Sequence, residues 1–157
     1  MIQIRRILVP TDFSPHSRRA LAWATTLARP FAAEIVILHV MEPPLAPAVP
    51  IGIGGAAIAS ITDEMRRYLG DQLDELARAD VPQGVNVRPS LREGRAFVEI
   101  LAAVHDETVD LVVLGTHGYT GLRHVLLGST AERVVRRSPV PVLTVRDDDA
   151  EEPGSSA

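Results

Sequence analysis

The chain has 157 residues, no cysteine, and sixteen basic residues that are all arginine. This composition excludes disulfides, thiol nucleophiles, lysine Schiff bases and the lysine-dependent phosphate loop, and the length favours a single domain. Five acidic residues in 147–157 account for the net charge of −4, because residues 1–146 hold 16 bases and 15 acids, a net of +1, which argues against a nucleic-acid surface.

No targeting or membrane-spanning segment is predicted. The opening sequence MIQIRRILVPTDFS lacks an apolar stretch followed by a small-residue cleavage site, and no apolar run approaches the roughly 18 residues of a membrane span. We therefore expect a cytoplasmic protein with one domain over residues 1–146. We expect residues 147–157 to form a disordered acidic tail, because they are polar and lack an apolar anchor.

Short apolar runs alternate with helical patterns along the whole domain. Pro10 ends the first run, and Ser14 followed by Pro15 is typical of a helix N-terminus. In chain order the patterns predict a strand over 4–10, a helix over 14–30, a strand over 34–40, a helix over about 60–79, a strand over 84–91, a helix over 95–106, a strand over 109–114, a helix over 129–137 and a strand over 140–146.

The segment between the second strand and the second helix is rich in Pro and Gly. It predicts a mobile loop over 43–57, and Ser60 and Asp63 stand at the spacing of a capping box for the following helix. Within the loop, residues 52–57 formally match the dinucleotide fingerprint Gly-x-Gly-x-x-Ala. We reject that match because the segment follows no strand.

Apolar strands separated by helices imply a parallel sheet covered on both faces. We predict a doubly wound α/β domain with a five-stranded parallel sheet in the order 3-2-1-4-5. In such sheets ligands bind at the carboxyl ends of the strands where the order reverses, here between the first and fourth strands. The first strand ends in Pro10-Thr11-Asp12, and the fourth leads into Gly115 and the loop after it.

That loop carries glycines at a regular spacing, Gly115-x2-Gly118-x9-Gly128, followed by Ser129. Glycines let a backbone approach a ligand closely, and the free amides at a helix N-terminus bind anions. The pattern predicts a polyphosphate cradle that works without lysine. Arg123 could add a bidentate contact to it.

Three segments together resemble the universal stress protein family and its ATP-binding branch. They are ILVPTDFS, DLVVLGTHGYTGL and GSTAERVVRRSPVPVLTV, and the similarity extends from Ile4 to Arg146. The resemblance implies an adenosine site with contacts at Pro10, Thr11, Asp12, Val40, Gly115, Gly118, Gly128, Ser129 and Thr130. His117 and Arg123 complete the candidate set, and ATP is expected to bring Mg²⁺, with Asp12 as a possible helper. The resemblance also implies a homodimer through the last strand, Val140 to Val145.

Several of these residues have a structural alternative. Asp12 could bond the ribose or support the cap of the first helix. Ser129 with Glu132 fits a capping box, so its hydroxyl could serve the helix instead of a phosphate. His117 and His124 could act as bases or simply be exposed loop residues. His39 ends a buried strand and is interpreted as a satisfied near-core histidine.

Two classes of function remain open from the sequence. The first is a nucleotide-binding stress-response module, in which ATP shifts a homodimer toward a form that an unidentified protein partner recognises. The alternative is a slow ATPase or hydrolase of adenosine phosphates, which needs positioned charge and an oriented water. We favour the binding module because the sequence offers no evident base with an orienting partner.

Overall fold

A computed structural model describes residues 2–42, 55–116 and 127–146 of the chain. The predicted tail, most of the loop after the second strand, and His117, Gly118, Arg123 and His124 lie outside these residues. The described elements are β1 (Arg6–Pro10), α1 (Pro15–Phe31), β2 (Glu34–Met41), α2 (Gly55–Asp80), β3 (Val87–Glu93), α3 (Ala96–Asp106), β4 (Leu111–Gly115), α4 (Ser129–Arg137) and β5 (Val142–Val145).

All five strands form one parallel sheet in the order β3-β2-β1-β4-β5, which confirms the predicted fold. The β1 register pairs Leu8 with Val36 of β2 and with Val112 of β4. These three side chains are fully buried. The first and fourth strands are therefore neighbours, and the reversal of strand order lies between them.

Each face of the sheet has its own hydrophobic cluster because strand side chains alternate between faces. One cluster joins Ile7, Ile35 and Ile37 to the buried faces of α1 and α2. The other joins Leu8 and Val36 to α3 and α4. Helices cover both faces, which explains why the central strands read as continuous apolar runs.

Helix α1 begins as the sequence indicates and ends at Phe31, one residue after the predicted end. Ser14 is the N-cap, its side chain accepts a hydrogen bond from the Ser17 amide, and Pro15 occupies the first helical position. At the other end, Ala32 adopts the left-handed conformation and its amide donates to the carbonyls of Ala28 and Arg29. The Ser14 cap is important for the site, because it fixes the chain that leaves β1.

Several predicted boundaries are wrong. Helix α2 begins at Gly55, so residues 55–57 are helical and Ser60 lies inside the helix, where it cannot cap. Strand β3 begins at Val87 instead of residue 84, because Gly84 has a φ of 89° in a turn closed by the Val85 amide on the Pro82 carbonyl.

Strand β5 is also shorter than the predicted range. Val140 lies in a turn in which its amide and carbonyl both bond the Ser138 hydroxyl, so the strand starts at Val142. Among the helices that the structure describes, none is long and apolar enough to cross a membrane.

Candidate functional site

A cavity of about 230 Å³ opens at the carboxyl ends of β1, β2 and β4, at the reversal of strand order. Eight residues named from the sequence line it: Pro10, Thr11, Asp12, Val40, Gly115, Gly128, Ser129 and Thr130. The geometry thus brings together segments from three distant parts of the chain. The other three members of the candidate set, His117, Gly118 and Arg123, are not among the described residues.

One wall of this cleft is apolar, and sequence reasoning did not name it. Leu38, Leu114 and Val134 belong to the cluster beneath α3 and α4, and each also lines the cleft. Ala96 and Ile100 of α3 extend the wall. The spacing of four between Ala96 and Ile100 was the available signal, since it places both on one face of a helix. A flat apolar group fits against such a wall.

The turn from β1 into α1 supplies the polar edge of the cleft. Asp12 Oδ1 accepts hydrogen bonds from the Ser14 amide, at 3.1 Å, and from the Ser14 hydroxyl, at 2.5 Å. Asp12 therefore supports the cap that Ser14 provides and is not itself the cap. Because its carboxylate also lines the cleft, the structural and ligand-binding roles are compatible.

Gly115 packs closely against the backbone of α1. A Cβ at this position would lie 3.0 Å from the His16 carbonyl oxygen and 3.1 Å from its carbon. The first turn of α1 thus approaches the end of β4 too closely for an unstrained Cβ at this position. Its place at the end of β4 still puts the Gly115 backbone at the cleft.

Helix α4 begins one residue earlier than the capping-box hypothesis requires. Gly128 is the N-cap, in an extended conformation, and the Glu132 amide bonds the Gly128 carbonyl. No side chain caps the helix, so the predicted Ser129–Glu132 box is wrong, and Glu132 instead pairs with Arg136 at 2.7 Å. The first amides of α4 therefore have no side-chain cap, and Ser129 and Thr130 line the cleft beside them, an arrangement whose chemistry suits an anion.

The base of the loop after β4 is closed by backbone hydrogen bonds. The Gly128 amide donates to the Thr116 carbonyl at 2.7 Å, and the Thr116 amide donates to the Val145 carbonyl at 2.9 Å. Thr116 is buried and lines the cleft. The amide of Gly128 is consequently used within the protein, and the amides of α4 available to an anion start at Ser129.

His39 has the partner expected of a near-core histidine. Its Nδ1 lies 2.8 Å from the Thr11 carbonyl oxygen, so the ring is hydrogen-bonded as expected, and His39 is partly buried and also lines the cleft. Within the described residues, no group of three or more His, Asp or Glu side chains is arranged to hold a metal ion. The cleft has one described carboxylate among its lining residues, that of Asp12.

The model of the universal stress protein family matches residues 3–146. The chain belongs to the universal stress protein family. Membership gives it a general role in the stress response. It is 32% identical over 143 residues to Universal stress protein MJ0531 of Methanocaldococcus jannaschii, an alignment that covers 90% of this chain and 82% of that protein.

Solved structures of the family share the fold. The structure of protein MJ0577 of the same organism is similar with a TM-score of 0.78 and 27% identity, over 95% of this chain and 100% of that one. A universal stress protein in complex with cAMP is similar with a TM-score of 0.60 and 25% identity, over 92% of this chain and 98% of that one. Both support the doubly wound topology described above.

Proposed function

We propose that this chain is a stress-response module that binds an adenine nucleotide in the cleft between β1 and β4. ATP is the nucleotide that we expect it to prefer. The observation that carries the proposal is the convergence of three chemistries in one cavity. These are the apolar wall, the Asp12 carboxylate, and the N-terminus of α4 without a side-chain cap. The cAMP complex of the related universal stress protein supports an adenine ligand.

Each part of a nucleotide has a matching group. The base would lie against the apolar wall, beside the backbone of Val40. The ribose hydroxyls would donate to Asp12, and the phosphates would accept hydrogen bonds from the first amides of α4 and from Ser129 and Thr130. Gly118, His117 and Arg123 are proposed to complete the phosphate contacts from the loop.

The residues of the cleft fit a nucleotide that carries its own Mg²⁺ better than a resident metal. A single carboxylate, Asp12, cannot form a metal cage, whereas Mg²⁺ is usually held by one or two carboxylates together with substrate phosphates. The bound ion would neutralise phosphate charge. Asp12 would then serve as its protein ligand or as the ribose acceptor.

We further propose that the protein forms a homodimer through the edge strand β5. This strand has one sheet neighbour, β4, and its side chains are only partly buried apart from Val145. An apolar edge strand is an aggregation hazard unless it is paired or covered. Pairing with β5 of a second copy of the chain would give the outward backbone groups of this strand hydrogen-bond partners.

Thermal unfolding of nucleotide-stripped protein tests nucleotide binding. Saturation at 100 times the dissociation constant stabilises a protein by about 2.7 kcal/mol, which raises the melting temperature by about 5–10 °C for a chain of this size. We expect that shift with Mg-ATP, a smaller one with AMP and little with GTP. No shift with any of the three would refute the proposal and leave the fold unaffected.

Asp12→Asn is the matched variant for this experiment. The amide oxygen of Asn can still accept both hydrogen bonds from Ser14, which retains the cap of α1, and the ligand-free melting temperature is the control. The loss of charge should reduce the shift caused by Mg-ATP, because a ribose hydroxyl or Mg²⁺ would meet a weaker ligand. An unchanged shift would remove Asp12 from the site.

A further inference from the structure

The turn that presents Asp12 has an unusual backbone. Phe13, the residue after Asp12, has a φ of 64°, which a bulky side chain rarely adopts. Such a conformation persists only where surrounding contacts determine it. The contacts that hold this turn therefore decide where the Asp12 carboxylate lies.

Two consecutive residues of β2 hold Thr11 from both ends of its backbone. The Thr11 amide donates to the Leu38 carbonyl at 2.8 Å. The Thr11 carbonyl, buried with its residue, lies 2.8 Å from His39 Nδ1. A carbonyl can only accept, so Nδ1 carries the proton and donates. The contact thereby assigns the Nδ1–H tautomer to His39.

The bond from His39 acts on Asp12 through the peptide plane. The Thr11 carbonyl belongs to the planar peptide that joins Thr11 to Asp12, so its direction sets the orientation of the Asp12 backbone. The Phe13 ring then packs on the His39 ring, with centroids 4.6 Å apart and planes tilted by 37°. One histidine thus contacts the turn on both sides of Asp12.

The Thr11 side chain completes the arrangement from within the turn. Its Oγ1 accepts from the Phe13 amide at 3.0 Å and lies 2.9 Å from the Ser17 hydroxyl. These bonds tie the turn to α1, whereas His39 ties it to the sheet. Removal of the His39 donor would leave the buried Thr11 carbonyl without its described side-chain partner. The Thr11–Asp12 peptide could then rotate so that this carbonyl bonds a different donor.

We propose that His39 is a positioning residue of the nucleotide site, which orients the Thr11–Asp12 peptide and through it the Asp12 carboxylate. This inference rests on the nucleotide-binding function proposed above. His39 itself lines the cleft, but this role acts through the Thr11–Asp12 peptide and requires no contact with the ligand. Its Nδ1–H group is the part that matters for affinity, and the ring contributes the contact with Phe13.

His39→Asn and His39→Leu form a matched pair that isolates the hydrogen bond. The two side chains have the same branched shape, and Asn can place an N–H donor where Nδ1 stands, whereas Leu cannot. We expect Leu to lower Mg-ATP affinity about tenfold, and Asn to stay within about twofold of the wild type, in titrations at a temperature where all three proteins are folded. Equal affinities of the two variants would overturn the inference.

A second measurement on the wild-type protein does not depend on the folding of any variant. The ¹⁵N chemical shifts of the His39 ring distinguish the two neutral tautomers, and we expect Nδ1–H. An Nε2–H tautomer would overturn the inference whatever the variants show. If the wild type binds no adenine nucleotide, both the proposed function and this role of His39 are refuted. The tautomer still reports whether the hydrogen bond to Thr11 exists.

Discussion

A single Cβ atom has different consequences at two glycines that line the same cleft. At position 115 it would lie 3.0 Å from backbone atoms of α1, which cannot move independently of the helix. At position 128 it would meet, among described residues, the Thr116 carbonyl oxygen at an ordinary 3.5 Å, and φ there is −62°. Gly115 is thus a packing glycine, whereas Gly128 can accept a side chain without strain.

Gly115→Ala should destabilise the fold. Overpacking of this kind costs about 1–3 kcal/mol, because α1 must shift away from the end of β4. We expect a melting temperature lower by at least about 2 °C in the absence of any nucleotide. A variant as stable as the wild type would show that the approach of His16 to β4 is looser than 3.0 Å.

Gly128→Ala is the control for the same experiment and tests the site. Its stability should fall less than that of Gly115→Ala, because the reduced freedom of the unfolded chain offsets the poorer capping by alanine at the N-cap of α4. Its affinity for Mg-ATP should fall, since the added methyl group occupies space at the N-terminus of α4 where the phosphates are proposed to bind. Wild-type affinity in this variant would place the phosphates elsewhere.

At the scale of elements, an ionic network joins the sheet to the end of α3. Arg6 of β1 pairs with Glu34 of β2 at 2.6 Å, and Arg88 of β3 contacts both Glu34, at 3.4 Å, and Glu107, immediately after α3. Arg92 continues the network to Glu107 at 3.7 Å. The hydrogen bond from Arg88 to Glu107 is the main cause of the raised pKa of Arg88.

Glu107→Gln should destabilise the protein by about 1 kcal/mol, or about 2–4 °C in melting temperature, because two arginines lose a charged acceptor whose side chain is only 16% exposed. The control is Glu132→Gln, which breaks an exposed i,i+4 pair with Arg136 and should cost about 0.5 kcal/mol or less. Equal effects of the two substitutions would mean that the network adds nothing beyond surface pairing.

The titration of Arg88 itself should not be visible near neutral pH. Its pKa is raised in the folded state, so its stabilising contribution is fully present below its ordinary pKa and is lost only as pH rises through the raised value, in strong alkali. We therefore attribute no stability change near pH 7 to this group.

At the scale of the whole molecule, the two edges of the sheet differ. Strand β3 includes Pro89, which has no amide to offer a neighbouring chain, and this is a common protection of edge strands. In β5, the carbonyls of Pro141 and Val145 accept from β4, so the backbone groups of Val142 and Thr144 point outward by alternation. The β5 edge is the one suited to pair with a second copy.

Thr144→Pro should convert the proposed dimer into a monomer. Proline removes the outward amide of Thr144 and leaves the bonds to β4 in place, because those belong to the alternate residues. Sedimentation equilibrium should give the 17.0 kDa mass of one chain for this variant and twice that mass for the wild type and for Thr144→Val. A dimeric Thr144→Pro protein would exclude this edge as the interface.

Much of the fold and part of the cleft were predictable from local patterns. Apolar runs and helix signals such as Ser14-Pro15 determined the order of elements, and that order placed the crevice between Pro10–Asp12 and Gly115. The start of α2 was not predictable in the same way, since Ser60 and Asp63 form a valid capping pattern that the longer helix overrides. The apolar wall of the cleft was missed because Leu38, Leu114 and Val134 also belong to the core, and the spacing of Ala96 and Ile100 was the one signal of it.

The sequence by itself determined the family, the doubly wound topology and the position of the cleft, because local patterns set the order of the elements and general rules of strand connection convert that order into a topology. Only the tertiary structure decided what individual residues do there. Gly115 packs against the backbone of α1, and Gly128 is the N-cap of α4 in place of Ser129. His39 lies within hydrogen-bonding distance of Thr11, 28 positions away. Such roles depend on distances between elements, and no local pattern encodes them.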